Sequence, residues 1–195
     1  LAVSISGCAS LDLYNASVQG DYDEVNRLIQ KGGDVNTDIA DATPLFAASR
    51  NGHVEVVELL LDKGAHVDLK VKDQFTPLYA ASELGHAEVV KLLLDKGANV
   101  NTQTNISCTP LYMASQNGHA QVVELLLDKG ANVDIKFKDE FTPLFMASQK
   151  GHIQVVKLLL DKGADVNTQT NISCTPLYMA SQNGHAQVVE LLLDK

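Results

Sequence analysis

The stretch TPLYMASQNGHAQVVELLLDK fills residues 109–129 and returns letter for letter at residues 175–195. The identity reaches further back, because residues 101–129 and 167–195 agree at every position, an offset of 66. A catalytic centre brings unlike residues together once, whereas a stacked scaffold needs like units many times. Internal repetition is therefore the first property to account for.

Thr-Pro-Leu begins at Thr43, Thr76, Thr109, Thr142 and Thr175, each step being 33 residues. Nine residues after each threonine comes a Gly-His pair: Gly52-His53, Gly85-His86, Gly118-His119, Gly151-His152 and Gly184-His185. A Val-Val-x-Leu-Leu-Leu-Asp-Lys run closes each unit. Residues 11–31 are a more polar copy, in which Asp12, Asn15 and Glu24 stand where the inner copies carry Pro, Ala or Met, and Val. Gly20 and Asp21 replace the Gly-His pair there, and the step to the next copy is 32. A polar end unit is expected of a cap, since one of its faces meets water. The expected organisation is an array over residues 11–195, with units starting near 11, 43, 76, 109, 142 and 175, after an apolar lead-in at 1–10.

Each unit predicts two short helices. Threonine at the N-cap followed by proline at the first helical position is a strong start signal. The glycine of the Gly-His pair interrupts the pattern and a second helix follows. That helix ends at Asp62-Lys63-Gly64 and its equivalents, with a basic residue in the last turn and a left-handed glycine beyond it. Helices under about 12–15 residues are marginal alone in water. Three consecutive leucines, such as Leu59, Leu60 and Leu61, make sense only if the helix is covered by its own unit and by both neighbours.

A 33-residue period carrying TPL, Gly-His and VVxLLL resembles the ankyrin repeat, whose signature is T-P-L-H-x-A. The resemblance runs from residue 11 to residue 195 and implies an all-α repeat solenoid of antiparallel helix pairs, with the connections projecting as β-hairpin or loop fingers. Two positions depart from the family. Its histidine after TPL is here Phe46, Tyr79, Tyr112, Phe145 or Tyr178, rings that pack instead of hydrogen-bonding. Its finger-tip glycine is here Asp41, Gln74, Ser107, Glu140 or Ser173. The fingers also alternate: Lys-Asp-Gln/Glu-Phe at residues 72–75 and 138–141, Asn-Ile-Ser-Cys at 105–108 and 171–174. The 66-residue identity therefore reads as duplication of pairs of units. The pattern breaks off at Lys195 without a polar cap or closing glycine, which reads as part of a longer array.

Composition narrows the function. Fifteen Lys and Arg against 24 Asp and Glu give a net charge of −9. Nucleic-acid binding rests on a basic face, and anionic membrane surfaces attract basic segments, so neither partner is expected. No stretch approaches the roughly 18 apolar residues of a membrane span.

The residue types that carry chemistry fall into a scaffold pattern. Packed helices lie about 8–10 Å apart, whereas zinc needs several ligands at about 2 Å. The Gly-His histidines therefore start second helices and tie one unit to the next, and no metal or cofactor is expected. Cys108 and Cys174, two units apart, are too distant for a disulfide and read as small apolar filler. The recurring Asp-Lys pairs read as helix-end electrostatics. Three Asn-x-Ser/Thr sequons, at Asn15, Asn105 and Asn171, are patterns common by chance. Ile5-Ser6-Gly7-Cys8 looks like a bacterial lipobox, giving two even readings of the N-terminus: a lipid-anchored Cys8, or an apolar lead-in or piece of an earlier repeat. The cytoplasm is the favoured compartment, with a bacterial lipoprotein lipidated at Cys8 as the alternative.

The resemblance implies partner binding on a concave face of fingers and first helices. Positions that vary between repeats there are Lys72, Asp73, Phe75, Leu84, Asn105, Ile106, Cys108, Gln116, Asn117, Lys138, Asp139, Phe141, Gln149, Lys150, Ile172 and Cys174. Phe75 and Phe141 would be aromatic anchors, a residue type enriched in hot spots, or would pack back on their own hairpins. The expected function is non-catalytic recognition of another protein by a monomer. A spacer solenoid without a specific ligand is the alternative, and an enzyme is disfavoured by the absence of any convergent polar constellation.

Overall fold

A computed structural model describes residues 2–39 and 41–195, with side chains from residue 10 onward. Twelve α-helices are formed among the described residues, two per repeat. They are α1 (Ala2–Gln19), α2 (Tyr22–Gln30), α3 (Pro44–Arg50), α4 (Val54–Asp62), α5 (Pro77–Leu84) and α6 (Ala87–Asp95), then α7 (Pro110–Asn117), α8 (Ala120–Asp128), α9 (Pro143–Lys150), α10 (Ile153–Asp161), α11 (Pro176–Gln182) and α12 (Ala186–Leu193). The helix of the first unit runs back to Ala2, where no Thr-Pro pair sets a start as it does in later units. The lipobox reading of Cys8 rests on side chains outside the described residues.

Two compact units divide the chain: Leu1–Ala81 with His86–Asn99, and Ser82–Gly85 with Val100–Lys195. In the first, α1 packs on α2 and α3, α3 on α4, and α4 on both α2 and α6. In the second, α9 packs on α7, α10 and α11, while α10 also meets α8 and α12. First helices thus stack on first helices and second on second.

Local chemistry sets these elements. The Thr43 hydroxyl oxygen accepts from the Phe46 N–H at 3.1 Å, and Thr109 and Thr142 accept from Tyr112 and Phe145 at 3.2 Å. These caps satisfy one of the four orphan donors at each helix start, and loss of such a cap costs about 1 kcal/mol. The second helices end in a doubled turn, shown by the Gly64 N–H donating to the Leu61 carbonyl at 3.0 Å and the Ala65 N–H to Leu60 at 2.9 Å. That 6→1 and 5→2 pattern needs a left-handed residue, and Gly64 supplies it with φ +89°.

The core is built by register. Leu45, Leu78, Leu111 and Leu144 of the Thr-Pro-Leu motifs are buried, as are the middle leucines Leu60, Leu93, Leu126 and Leu159. Truncating such a leucine to alanine costs about 2–5 kcal/mol.

Successive repeats are joined by a ladder of Asn and Asp side chains in the connections. Within the first unit Asn36 Oδ1 accepts from the His66 N–H at 2.8 Å, and its Nδ2 donates to the Gly64 carbonyl at 3.0 Å. Asn101 does the same to Asn132 and Gly130 at 2.9 and 3.3 Å in the second unit. Asp68 and Asp134, at the alternate rungs, accept from Asn99 and Asp165 at 3.1 Å. Asp62 bridges to Lys96 at 2.6 Å and Asp128 to Lys162 at 2.7 Å, which holds each lysine above its ordinary pKa. These exposed pairs contribute little to stability.

Candidate functional site

The finger connections close as tight turns with isolated bridges at Ile39–Ala42 and Phe137–Phe141. Of the hairpin and loop forms expected, they take the loop form. All five glycine-substituted tip positions adopt the left-handed region: Asp41, Gln74, Ser107, Glu140 and Ser173 have φ between 61° and 68°. The two finger types differ in backbone. The turns at residues 72–75 and 138–141 add a second left-handed residue, Asp73 at φ 57° and Asp139 at φ 55°, ahead of the tip. In the Asn-Ile-Ser-Cys fingers the Thr104 and Thr170 hydroxyls accept from the Cys108 and Cys174 N–H groups at 3.1 Å.

The aromatic positions pack. Phe75 lies on Tyr79 with ring centroids 4.9 Å apart, and Phe141 on Phe145 at 5.0 Å. Both phenylalanines remain half-buried, so each joins its own repeat and still shows an edge to solvent. Tyr112 is covered by Phe137 of the next finger at 4.7 Å, and Lys138 Nζ sits 5.7 Å from the Phe137 ring centre. Burial, and then the neighbouring Cys108, push the Tyr112 phenol well above its ordinary pKa.

The remaining predicted positions divide. Lys72, Asp73, Asn105, Lys138, Asp139 and Lys150 are exposed, as are the apolar Leu84 at 45%, Ile106 at 43% and Ile172 at 74%. Asp139 is partly committed, since its Oδ1 accepts from Asn171 Nδ2 at 2.7 Å in the following finger. Gln116 and Gln149 are half-buried and give their carbonyls to His152 and His185 at 3.0 Å. Asn117 is turned to the scaffold, donating to the Glu83 carbonyl at 2.8 Å. Cys108 is a correction: at 2% exposure it is core, as its reading as small apolar filler requires, and it offers no surface to a partner. Cys174 is half-buried, and both thiols are free. Among the described residues, no group of three or more His, Cys, Asp or Glu could hold a metal.

The first unit also holds a groove of about 520 Å³. Tyr14 and Val18 of α1, Phe46 and Arg50 of α3, Val71, Lys72, Asp73 and Phe75 of the following finger, and Asp41 all line it. Lys72, Asp73 and Phe75 were expected on such a surface. Tyr14, Val18, Phe46 and Val71 were not, because each reads as framework within its own repeat. Comparison of residues 66 apart carries the missing signal, since Val71 stands where the second unit has Phe137.

Known proteins resemble the chain in segments. An ankyrin repeat-containing protein of Saccharomyces cerevisiae is 54% identical over 50 residues, 25% of this chain and 10% of that protein. Ankyrin repeat domain-containing protein 39 of Homo sapiens is 44% identical over 57 residues, 29% of this chain and 31% of the relative. Alpha-latrocrustotoxin-Lt1a of Latrodectus tredecimguttatus is 43% identical over 60 residues, 30% of this chain and 4% of the toxin. The chain thus spans about a third or less of the length of these curated relatives. The descriptions "Ankyrin repeats (3 copies)" over residues 13–104 and 101–170 and "Ankyrin repeat" over 173–195 account for nearly all of it, and the chain belongs to the ankyrin repeat family.

Proposed function

We propose that the chain is a non-catalytic recognition module that binds another protein through its fingers and the ends of its first helices. Ankyrin repeats are in general protein–protein interaction modules. One observation supports the particular surface. Of the exposed large apolar residues ahead of residue 175, Leu11, Val18 and Leu84 lie on first helices and Ile106 and Ile172 on fingers, whereas the second helices contribute Tyr22. Apolar surface left in water is costly, and its concentration beside polar rims marks interaction sites. The helices behind it are held by caps and inter-repeat hydrogen bonds, so little ordering entropy is lost on binding.

The test is capture of a partner from lysate by the full chain and by two variants. Leu84→Asp with Ile106→Asp alters the proposed surface, and Gln121→Asp with Lys157→Asp alters second helices. Loss of capture in the first variant alone supports the proposal. Equal capture by both moves the site elsewhere. No specific capture by any form favours a spacer, a reading supported by the letter-for-letter identity of residues 101–129 and 167–195.

A further inference from the structure

The groove of the first unit has a filled counterpart in the second. Phe46 and Tyr112 are equivalent, 66 residues apart, and so are Val71 and Phe137. Both fingers close the same way: the Val71 N–H donates to the Phe75 carbonyl at 2.9 Å, and the Phe137 N–H to Phe141 at 2.8 Å. The backbone is shared and the side chain differs. In the second unit Phe137 lays its ring on Tyr112 at 4.7 Å and an interplanar angle of 46°. In the first unit valine stops short of that place, and the groove lined by Tyr14, Phe46, Val71 and Phe75 is left.

The charges of the groove differ as well. Lys72 Nζ lies 3.4 Å from Asp41 Oδ2, and Asp73 is also engaged. Arg50 is exposed at the end of α3, and no ion pair reaches its guanidinium among the described residues. Its equivalent in the second unit is the neutral Gln116. The Arg50 guanidinium therefore accompanies the open groove, and its place beside the filled one is taken by a neutral side chain.

We propose that this groove receives an aromatic side chain of the partner protein, seated on Phe46 as Phe137 is seated on Tyr112, with an adjacent carboxylate of the partner paired to Arg50. Aromatic pairs at 4.5–7 Å are favourable beyond the area they bury, and the guanidinium fork suits a carboxylate. The proposal rests on the recognition reading above and adds the chemistry of one contact.

The experiment is an NMR titration of the full chain with the peptide acetyl-Glu-Phe-Ala-Glu-amide. Two further peptides replace its phenylalanine by alanine or both glutamates by lysine. Saturable shifts gathered at Val18, Phe46 and Val71 are expected. Binding should weaken by about tenfold or more for the alanine peptide and for the Val71→Phe protein, whose new ring fills the seat. Arg50→Gln should weaken the glutamate peptide by about threefold or more and leave the lysine peptide unchanged. Thermal melting of Val71→Phe checks that the variant is folded. Unsaturable binding, shifts centred elsewhere, or equal affinity in folded Val71→Phe would each overturn the proposal. Those outcomes leave the recognition reading standing if Leu84→Asp with Ile106→Asp still abolishes capture, so the two can fail separately.

Discussion

His119 Nε2 donates to the carbonyl of Glu83 at 3.0 Å, and the same oxygen accepts from Asn117 Nδ2 at 2.8 Å. A carbonyl can only accept, so Nε2 is the protonated ring nitrogen. The acceptor is among the last carbonyls of α5, which the helix itself leaves unpaired. The Gly-His pair therefore works as a clamp in which the histidine of one repeat satisfies the helix end of the repeat before it. The geometry recurs at Gln149, which accepts from Asn183 and His185 at 2.9 and 3.0 Å. Among the described residues the Gln116 carbonyl accepts a side-chain hydrogen bond from His152 alone, because Lys150 replaces the asparagine.

Two donors on one acceptor predict non-additivity. Asn117→Ala leaves the oxygen with His119 and should cost about 1 kcal/mol, while His119→Ala also removes packing and should cost about 1–3 kcal/mol. The double variant orphans the oxygen. Its loss should exceed the sum of the singles by about 0.5 kcal/mol or more. Urea unfolding of the four proteins measures the cycle, and strict additivity would show that the shared carbonyl is immaterial.

The glycines of each repeat face different surroundings. A Cβ built on Gly118 would stand 2.7 Å from His152 Cε1 and Nδ1, whereas one on Gly130 meets nothing within 4 Å. Both have positive φ, 78° and 85°. Gly130→Ala should therefore cost only the left-handed backbone, about 1–2 kcal/mol. Gly118→Ala should cost about 1 kcal/mol more, since the clamp ring must move. Combining Gly118→Ala with His152→Ala should recover that excess. An equal cost at the two glycines, read by thermal melting, would remove the close-approach explanation.

Much of this was legible in residues 43–195. Thr-Pro gave the helix starts because the cap is a local device, and the Gly-His pair was correctly read as a tie between repeats. What it ties to, a backbone carbonyl 36 residues earlier, leaves no side-chain signature. The tip positions that lack the family's glycine are left-handed all the same, and Asp73 and Asp139 join them because the 72–75 and 138–141 turns carry two consecutive left-handed residues, as type I′ turns do. Cys108 is buried, as its reading as apolar filler has it, and not on the surface: variation between repeats does not separate an outward side chain from a buried one. Phe75 and Phe141 pack back on their own repeats, the second of the two readings, and each keeps an exposed edge. The groove beside Phe46 stayed hidden because it is made by a side chain that is too small, visible only against Phe137.

One row of residues has no evident partner. The hydroxyls of Ser49, Ser82, Ser115 and Ser148 are buried without a hydrogen bond among the described residues. The equivalent Ser17 donates to the Leu13 carbonyl at 2.8 Å. An unsatisfied buried hydroxyl costs about 1–3 kcal/mol of desolvation. Ser115→Ala should therefore be neutral or stabilise by up to about 1 kcal/mol, despite sitting in the core. Ser17→Ala should destabilise by about 1 kcal/mol. Chemical unfolding of the two variants decides this, and a clear loss in Ser115→Ala would mean that the hydroxyl finds a partner in solution.

Burial of Tyr112 sets an alkaline limit. The ring is 4% exposed between its own repeat and Phe137, and the phenol is held in its protonated form above the ordinary value near 10. Above pH 10 the unfolded chain releases that proton while the folded chain keeps it. The folded state then binds more protons, so stability falls as pH rises. The slope from one such group is at most about 1.4 kcal/mol per pH unit. Tyr112→Phe removes the proton while leaving the ring on Phe137. Between pH 9 and pH 11 the variant should lose less stability than the parent, by up to about 1 kcal/mol. Urea midpoints at the two pH values give the comparison, and equal losses would show that the phenol ionises within the folded repeat.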